Sequence, residues 1–306
     1  MDRNSPYARQ VDLLVQLLPF VFQEQCFALK GGTAINLFVR DMPRLSVDID
    51  LVYLPDGNRE QALTAVHDAL DRISASLQQA WPDATVIKSY EQKPDALRLV
   101  VTRNNATVKI ELSPVLRGTV YAPATLPVMP KVEDTFGFAE ANVVSMADIY
   151  AGKLCAALDR QHPRDLFDVL LLQENEGTTD EIRRAFLIYL ISHNRPMEEL
   201  LAPQWKPLSG IFEGEFQGMT ERQTSVDELA AAGKTALHDV LTQMTETEKR
   251  FLCSLYDPIP DWPLLELPHV KDLPAVRWKL QNISRMSKEK RLASQAALQN
   301  VLFPVH

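Results

Sequence analysis

The chain has 306 residues, 46% of them apolar and 24% charged, which predicts an ordinary soluble globular protein of two domains or one large domain. The net charge of −8 argues against a protein that coats DNA by general electrostatic attraction. The apolar runs are too short to cross a bilayer, no signal-peptide layout opens the chain, and the scattered cysteines fit no zinc site. We therefore expect a cytoplasmic protein without a membrane partner.

The front part of the chain mixes helical and strand patterns. Apolar residues at helical spacing predict helices, and alternating or apolar runs predict strands. The predicted helices are 7–24, 33–40, 59–80, 146–158 and one that begins near Arg164, and the predicted strands are 26–31, 46–53, 84–91, 96–104 and 106–114. Asn104-Asn105 predicts a tight hairpin between the last two strands, and the proline-rich segment 121–134 is interpreted as a crossing that follows them.

A shift to purely helical patterns follows the segment ENEGTTD at 174–180. The helices predicted after it are 179–193, 225–244, 246–256 and about 274–301, and the core of the last is predicted from Trp278, Leu280, Ile283 and Met286. The sequence therefore predicts an α+β protein. A catalytic domain over 1–176, with a mixed sheet and flanking helices, precedes an all-helical C-terminal domain over 177–306.

The most informative stretch runs from Lys30 to Tyr53, KGGTAINLFVRDMPRLSVDIDLVY. Successive side chains of a strand point to opposite faces, so Asp48 and Asp50 share one face while Ile49 lies on the other. Two adjacent carboxylates repel each other, and a divalent cation would relieve that repulsion. Mg²⁺ is commonly held by one or two carboxylates together with substrate phosphates. The alternative is a strand edge that carries acids for solubility.

A phosphate site is predicted just before this acidic pair. Gly31 and Gly32 allow a backbone to approach a phosphate closely, and a helix that starts near Thr33 would direct free N–H groups at it. Arg44 and Ser46 flank the acidic strand and are further candidates for phosphate contact. A phosphate site followed by a metal-binding pair is what nucleotidyl transfer requires.

Glu111 is a third candidate carboxylate. It lies in TVKIELS, where it shares a strand face with Thr107 and Lys109. If this strand lies beside Asp48 and Asp50, Glu111 could hold a metal or act as the base that deprotonates the attacking hydroxyl. An exposed alternating strand would explain the same residues.

The segment KLCAALDRQHPRDLFDVL at 153–170 carries a second set of candidate residues. Lys153 and Arg160 are seven residues apart and therefore share a helix face, while Asp165 and Asp168 open the next helix. In the functional interpretation Lys153 contacts triphosphate oxygens, and one of the aspartates pairs with the lysine or the arginine and holds that side chain in position. The alternative is two solvated helices with local ion pairs.

A basic segment lies near the C-terminus. Residues 277–291, RWKLQNISRMSKEKR, carry six basic side chains against one acidic side chain, a net charge of +5. Such a patch could hold an RNA backbone, and the candidate RNA-binding residues are Arg285, Lys288, Lys290 and Arg291. The alternative is a solvated helix face.

These motifs together resemble a known family. GGTAINLF followed by RLSVDIDLVY resembles the nucleotidyltransferase superfamily signature, a glycine pair followed by D-x-D. With KLCAALDRQHPRDLFDVL and HVKDLPAVRWKLQNISRM, the chain resembles the AbiEii/AbiGii toxin family, which includes MenT-type toxins. The resemblance implies a polymerase-β-like nucleotidyltransferase core and a helical C-terminal domain. It also implies the toxin of a bacterial toxin–antitoxin pair, in some members active in phage defence, with a winged-helix AbiEi-like antitoxin as partner.

The resemblance further implies an activity. MenT-type members transfer nucleotides from an NTP to the 3′ end of tRNA and thereby block translation, with Mg²⁺, or Mn²⁺ as the alternative, as cofactor. Two other functions stay open: nucleotidyl transfer to a small molecule or a protein, and an NTP-binding regulator that performs no transfer.

By motif match, Ser46, Asp48 and Asp50 fall on the family's metal and phosphate site, and Lys153 falls on its triphosphate-binding lysine. Asp165 or Asp168 matches the later catalytic acid. Two positions match less well. Thr33 follows a Gly-Gly pair where the superfamily often has Gly-Ser, and the family does not always keep a third carboxylate at the position of Glu111.

Overall fold

A computed structural model of the protein describes residues 6–55 and 57–304. The chain forms two compact units, one of Met1–Ser145 with Gly218–Gln223 and one of Met146–Gln217 with Thr224–His306. The first unit is built on a mixed sheet, and the second is helical wherever its residues are described. The predicted α+β class, with a sheet in the front part and helices in the back part, is confirmed.

The first unit contains seven described strands and four described α-helices. Its strands are β1 Phe27–Lys30, β2 Asp48–Tyr53, β3 Thr85–Lys88, β4 Arg98–Arg103, β5 Ala106–Leu112, β6 Ala124–Pro127 and β7 Glu140–Val143. Its helices are α1 Pro6–Val21, α2 Gly31–Ala34, α3 Arg59–Ala80 and α4 Pro130–Phe136, with a π-helical turn over Ile35–Val39 after α2 and a 3-10 turn over Ser89–Glu91.

In the described residues these strands form one sheet of seven, in the order β3-β4-β5-β2-β1-β7-β6. β2 pairs in parallel with β5, β1 pairs in parallel with β7, and the other neighbours are antiparallel. β2 therefore lies at the centre of the sheet, between β1 and β5. Ile49 and Leu51 are fully buried, and Asp48 and Asp50 alternate with them at partly exposed positions, as the period of the strand predicts.

The hairpin predicted at Asn104-Asn105 is confirmed. Arg103 pairs with Ala106, so the turn between β4 and β5 has two residues, and both asparagines have positive φ, 49° and 59°. Asparagine tolerates this left-handed backbone better than other residues with a side chain.

The prediction that the strands give way to a proline-rich crossing over 121–134 is wrong. The segment contains β6 and the start of α4. β6 is the edge strand of the sheet, where Pro127, which has no backbone N–H, can be accommodated beside β7. The prolines that suggest a crossing are therefore compatible with a strand at this position.

The second unit consists of helices joined by short loops and 3-10 turns at Trp262–Leu265 and Pro268–Asp272. The helices are α5 Met146–Asp159, α6 Pro163–Asn175, α7 Asp180–Ser192, α8 Met197–Leu201, α9 Ser209–Glu215, α10 Val226–Gln243, α11 Glu246–Ser254, α12 Pro274–Ser284 and α13 Lys288–Leu302. None of the helices formed by residues 6–55 and 57–304 combines the length and the apolar character that a membrane crossing requires.

The single helix predicted over 274–301 is wrong. The chain leaves the helix after Ser284 and begins a new one at Lys288. Ser287 caps the new helix, because its hydroxyl accepts a hydrogen bond from the backbone N–H of Lys290 at 3.2 Å. The basic segment 277–291 is therefore divided between two helices.

The division between the units also differs from the domain boundary predicted at residue 176. α5 and α6 belong to the helical unit, because α5 packs against α7 and α6 packs against α10. A catalytic domain of 1–176 remains a prediction about function, and residues 146–176 within it are structurally part of the helical unit.

A buried ion pair connects α7 to α11. The Nε of Arg183 lies 3.0 Å from an oxygen of Glu248, and both side chains are buried. Glu248 also accepts a hydrogen bond from the N–H of Thr245 at 2.9 Å, which completes a capping box at the start of α11.

We predict that Glu248→Ala destabilises the protein by about 3 kcal/mol, because it removes a cap and leaves Arg183 with the exposed Asp180 but without its buried partner. Thermal and urea unfolding would measure this loss. The matched control is Glu246→Ala on the same helix, whose exposed ion pair with Arg250 should contribute less than about 1 kcal/mol. Equal effects of the two substitutions would contradict the role of the buried pair.

Candidate active site

The glycine turn after β1 lies directly against Asp50. Gly31 has φ = +75°, which favours glycine, and it opens α2 immediately after β1. A Cβ built at Gly31 would lie 2.7 Å from Oδ2 of Asp50, closer than real Cβ contacts allow. Both the backbone conformation and the neighbouring carboxylate therefore require glycine at this position.

Gly32 is equally close to the two other predicted phosphate ligands. A Cβ at Gly32 would lie 2.8 Å from Nη2 of Arg44 and 3.0 Å from Oγ of Ser46. Arg44 is buried, and its Nη1 donates to the carbonyl oxygen of Leu45 at 2.8 Å. The guanidinium and the serine hydroxyl are thus held beside the backbone of the turn.

Thr33 joins the turn to the acidic strand. Its buried hydroxyl lies 2.5 Å from the carbonyl oxygen of Asp48 and 3.0 Å from Oγ of Ser46. Because a carbonyl oxygen can only accept, the hydroxyl of Thr33 donates to Asp48. Thr33 therefore holds the glycine turn at a fixed distance from Ser46 and the backbone of Asp48.

A distant segment of the chain supports Arg44. Residues 218–223 belong to the first unit, although they lie far along the sequence, and Thr220 forms an antiparallel bridge with Arg44. The N–H of Leu45 donates to the carbonyl of Met219 at 2.8 Å, and the hydroxyl of Thr220 donates to the carbonyl of Pro43 at 2.8 Å. The sequence carries no motif that would predict this return of the chain.

Glu111, the predicted third carboxylate, lies on the strand next to the acidic pair but forms an ion pair with another residue. Because β2 and β5 are parallel neighbours, Asp50 lies in register with Glu111, as the hypothesis requires. The carboxylate of Glu111, however, pairs with Nε of Arg98 on β4 at 2.5 Å. Nowhere in the described part of the chain do three or more His, Cys, Asp or Glu side chains gather in a way that could hold a metal ion. The participation of Glu111 in a metal site with Asp48 and Asp50 therefore stays a prediction.

Asp48 and Asp50 by themselves fit a divalent cation that completes its coordination with other ligands. Both side chains are partly exposed on the same face of β2, and Asp50 lies against the backbone of the glycine turn. Two carboxylates with nucleotide phosphates are a common arrangement for Mg²⁺. The residues present therefore suit a metal that binds together with a nucleotide.

A second cluster of charges lies within the helical unit. Nζ of Lys153 lies 2.8 Å from Oδ1 of Asp165 and 3.0 Å from Oδ2 of Asp168, and the guanidinium of Arg160 also binds Asp165. Burial by itself would raise the pKa of Asp165, but the charge of Lys153 and the hydrogen bonds from Arg160 outweigh it. The pKa of Asp165 consequently lies well below its ordinary value.

The local sequence explains how this cluster forms. His162 caps α6, since its Nδ1 accepts from the N–H of Arg164 at 3.1 Å, and Pro163 occupies the first helical position. Asp165 therefore lies in the first turn of α6, and Asp168 follows one turn later.

The alternative interpretation is two solvated helices with local ion pairs. The ion pairs are local, but part of the cluster is buried and not solvated. The Lys153 side chain is only 6% exposed, whereas that of Arg160 is 62% exposed. Arg160 is therefore the cation of this cluster that solvent and ligands reach more easily.

The basic segment is only partly available at the surface. Lys279 donates from Nζ to the carbonyl oxygens of His193 and Arg195 at 2.8 Å each, and Arg277 pairs with Asp272. The predicted RNA-binding residues Arg285, Lys288 and Lys290 are exposed, and Arg291 is partly exposed.

The prediction that Trp278 belongs to the helix core is wrong. Val276 and Ile283 are buried, whereas the side chain of Trp278 is 51% exposed. At 100° per residue, Trp278 and Ile283 lie on nearly opposite sides of α12.

Comparisons with known proteins can be set beside this geometry. The family model described as "Nucleotidyl transferase AbiEii toxin, Type IV TA system" matches residues 12–282. Among solved structures, the chain is similar to MenT4, a nucleotidyltransferase toxin from Mycobacterium tuberculosis H37Rv. The TM-score is 0.60 and the sequence identity 17%, over 92% of this chain and 95% of that chain. At this identity the likeness shows the fold alone. No curated protein matches the chain.

We predict that Gly31→Ala lowers the free energy of unfolding by about 1–3 kcal/mol, because alanine disfavours the left-handed backbone and its Cβ would collide with Asp50. Urea unfolding would measure the change. Gly210→Ala is the control, since a Cβ there meets nothing within 4 Å. A Gly31→Ala variant as stable as the Gly210→Ala variant would contradict the close approach.

A pH-dependent effect is expected at Lys153. We predict that Lys153→Met destabilises the protein by about 3 kcal/mol at pH 7, because Asp165 and Asp168 lose the buried cation they share, and Asp165 keeps only its pair with the exposed Arg160. In the native protein the lowered pKa of Asp165 keeps its contribution to stability in full down to its unfolded pKa of 3.8, and the contribution is lost only below that pH. In the variant the buried carboxyls lack the charge of Lys153, so burial favours their protonated form and they take up protons at a higher pH than in the unfolded chain. The difference between the variant and the native protein should therefore narrow between pH 7 and pH 4.

Chemical denaturation at a series of pH values would test this. The exposed Lys234→Met on α10 serves as control and should show a small difference that does not vary with pH. A Lys153→Met difference that is constant from pH 7 to pH 4 would contradict the proposed ionisation of the cluster.

Proposed function

Because the chain belongs to the AbiEii family of nucleotidyltransferase toxins of type IV toxin–antitoxin systems, we propose that it transfers a nucleotide from an NTP to the 3′ end of tRNA and thereby blocks translation. The observation that carries this proposal is the close approach of the Gly31–Gly32 turn to Asp50, Arg44 and Ser46. A backbone turn, a cation and a carboxylate pair in one place are the groups that a nucleoside triphosphate and its metal need.

The phosphates of the NTP would lie along the backbone of Gly31 and Gly32, with Arg44 and Ser46 as side-chain partners. Asp48 and Asp50 would hold Mg²⁺, or Mn²⁺ in its place, which when bound neutralises charge on the phosphates. Thr33 keeps the turn and the acidic strand at a fixed separation through its hydrogen bond to Asp48.

The reaction is an in-line displacement at the α-phosphate. The 3′-hydroxyl oxygen forms a bond to the α-phosphorus, the bond from the α-phosphorus to the oxygen bridging to the β-phosphate breaks, and pyrophosphate leaves. A carboxylate accepts the hydroxyl proton, and Glu111 remains our candidate for this role. The protein contributes mainly by positioning the reactants and by stabilising negative charge.

The helical unit supplies the remaining proposed contacts. By motif match, Lys153 is the contact to the triphosphate, and Asp165 or Asp168 is the later catalytic acid. The two buried aspartates fix the position of the Lys153 side chain, and Arg160 adds an exposed cation.

Two kinds of partner belong to the proposal. The phosphates of the RNA would be contacted by Arg285, Lys288, Lys290 and Arg291. Because an acidic chain would use only this one patch, its affinity for RNA should depend only weakly on salt concentration. A cognate antitoxin, of the winged-helix AbiEi-like type, would restrain the toxin. The reaction would take place in the cytoplasm, where both NTP and tRNA are available.

We predict that Asp48→Asn and Asp50→Asn each lower nucleotide transfer at least about a hundredfold, because each variant loses a negative charge that would bind the metal cation. Transfer of label from each α-³²P-NTP to total tRNA would measure it, with circular dichroism as the check on folding. The matched control is Asp95→Asn, an exposed acid of the same unit that pairs with Arg59 and should leave transfer unchanged.

Separate incubations with RNA, protein and small-molecule acceptors would identify the substrate. If label appears in protein or in a small acceptor and not in RNA, tRNA is not the substrate, and the labelled acceptor takes its place in the proposal. Full activity in both aspartate variants would contradict the assignment of the site, and NTP binding without release of pyrophosphate would contradict transfer itself.

A further inference from the structure

The outward face of α12 combines an aromatic ring with polar and cationic side chains. Trp278, Gln281 and Arg285 follow one another at helical spacing, and all three are exposed. The opposite face is buried through Val276 and Ile283, and α12 packs with it against α7. The indole is therefore not a packing residue of the helical unit.

Trp278 differs from the other tryptophans of the described chain. Trp81 packs against Phe20 and lies under the guanidinium of Arg103, and Trp262 packs against Phe251. Trp205 lies beside Gly233. Among the described residues no aromatic ring or cation stacks on Trp278, although its side chain is 51% exposed. One face of a large π-system is thus open to a ligand.

The charge around this ring identifies the class of ligand. The segment 277–291 has six basic residues against one acidic residue, within a chain of net charge −8. Exposed aromatic rings beside cations bind single-stranded nucleic acid, because bases stack on the ring and phosphates pair with the cations. Protein interfaces also use tryptophan and arginine, but their buried cores are depleted of charge, whereas this face of α12 belongs to the basic segment 277–291.

We propose that Trp278 stacks on an unpaired nucleotide of the RNA substrate while Arg285 contacts an adjacent phosphate. This inference rests on the proposed function and extends it, because it assigns the recognition of single-stranded RNA to the outward face of α12. A 3′ end that protrudes from a duplex presents bases of this kind.

Binding to two RNA hairpins, measured with the full chain and without NTP, tests the proposal. One hairpin carries a single-stranded 3′ tail of four nucleotides, and the other has a blunt end. Trp278→Ala should weaken binding of the tailed hairpin about tenfold, as expected for the loss of one stack, and should leave the blunt hairpin unaffected. Trp278→Phe should retain most of the affinity, because a smaller ring still stacks.

Two further variants separate stacking from charge and from general surface effects. Arg285→Gln should reduce the slope of log affinity against log salt by about 0.7, the value for one phosphate of a single strand, whereas Trp278→Ala should leave the slope unchanged. Ile259→Ala, a highly exposed apolar side chain of the same unit, should change neither affinity nor slope.

The inference is overturned if Trp278→Ala binds the tailed hairpin as tightly as the native protein, which is also the result expected if this face binds a protein partner. It is equally overturned if both hairpins lose affinity to the same extent. Tail-dependent binding through Trp278 without nucleotide transfer would reject the proposed function alone. Normal transfer with unchanged binding by Trp278→Ala would reject the stacking role alone.

Discussion

The close approach of the Gly31 backbone to the carboxylate of Asp50 is the constraint on which the candidate site depends. The antiparallel pairing of β1 with β2 places Lys30 opposite Asp50, so the chain must turn into α2 immediately beside that carboxylate. A side chain at Gly31 would fill the space, and the left-handed backbone would resist it. Thr33 then fixes the distance between turn and strand through its bond to the carbonyl of Asp48. The proposed phosphate ligands and metal ligands thus share one rigid support.

The second candidate cluster follows a different principle, the mutual neutralisation of buried charge. Taking ions out of water is costly, and it is tolerated only when partners and hydrogen bonds replace the solvent. Lys153 and Arg160 balance Asp165 and Asp168, and each ion has a partner within hydrogen-bond distance. The cluster therefore holds the ammonium group of Lys153 at a fixed position between two carboxylates. The guanidinium of Arg160 is the part of the cluster that is exposed to solvent.

Local patterns predicted the parts of the molecule that depend on local physics. The alternation around Asp48 and Asp50, the turn at Asn104-Asn105 and the span of α3 follow from strand period, backbone preference and helical spacing, and the structure confirms all three. The return of residues 218–223 to the sheet unit depends on backbone hydrogen bonds that leave no compositional signal. The exposure of Trp278 was missed because an aromatic residue in a helix was assigned to the core without regard to its angular position.

The same distinction between local and long-range effects bears on how an acidic protein can select RNA. A net charge of −8 gives no general attraction to a polyanion, and ion pairs or backbone carbonyls already engage several cations of the basic segment. Affinity must then come from a few exposed cations together with contacts that do not depend on charge. Stacking on an indole is such a contact, and it acts on unpaired bases and not on the backbone of a duplex. The proposed selectivity for a single-stranded end would therefore follow from weak overall electrostatics combined with one exposed aromatic ring.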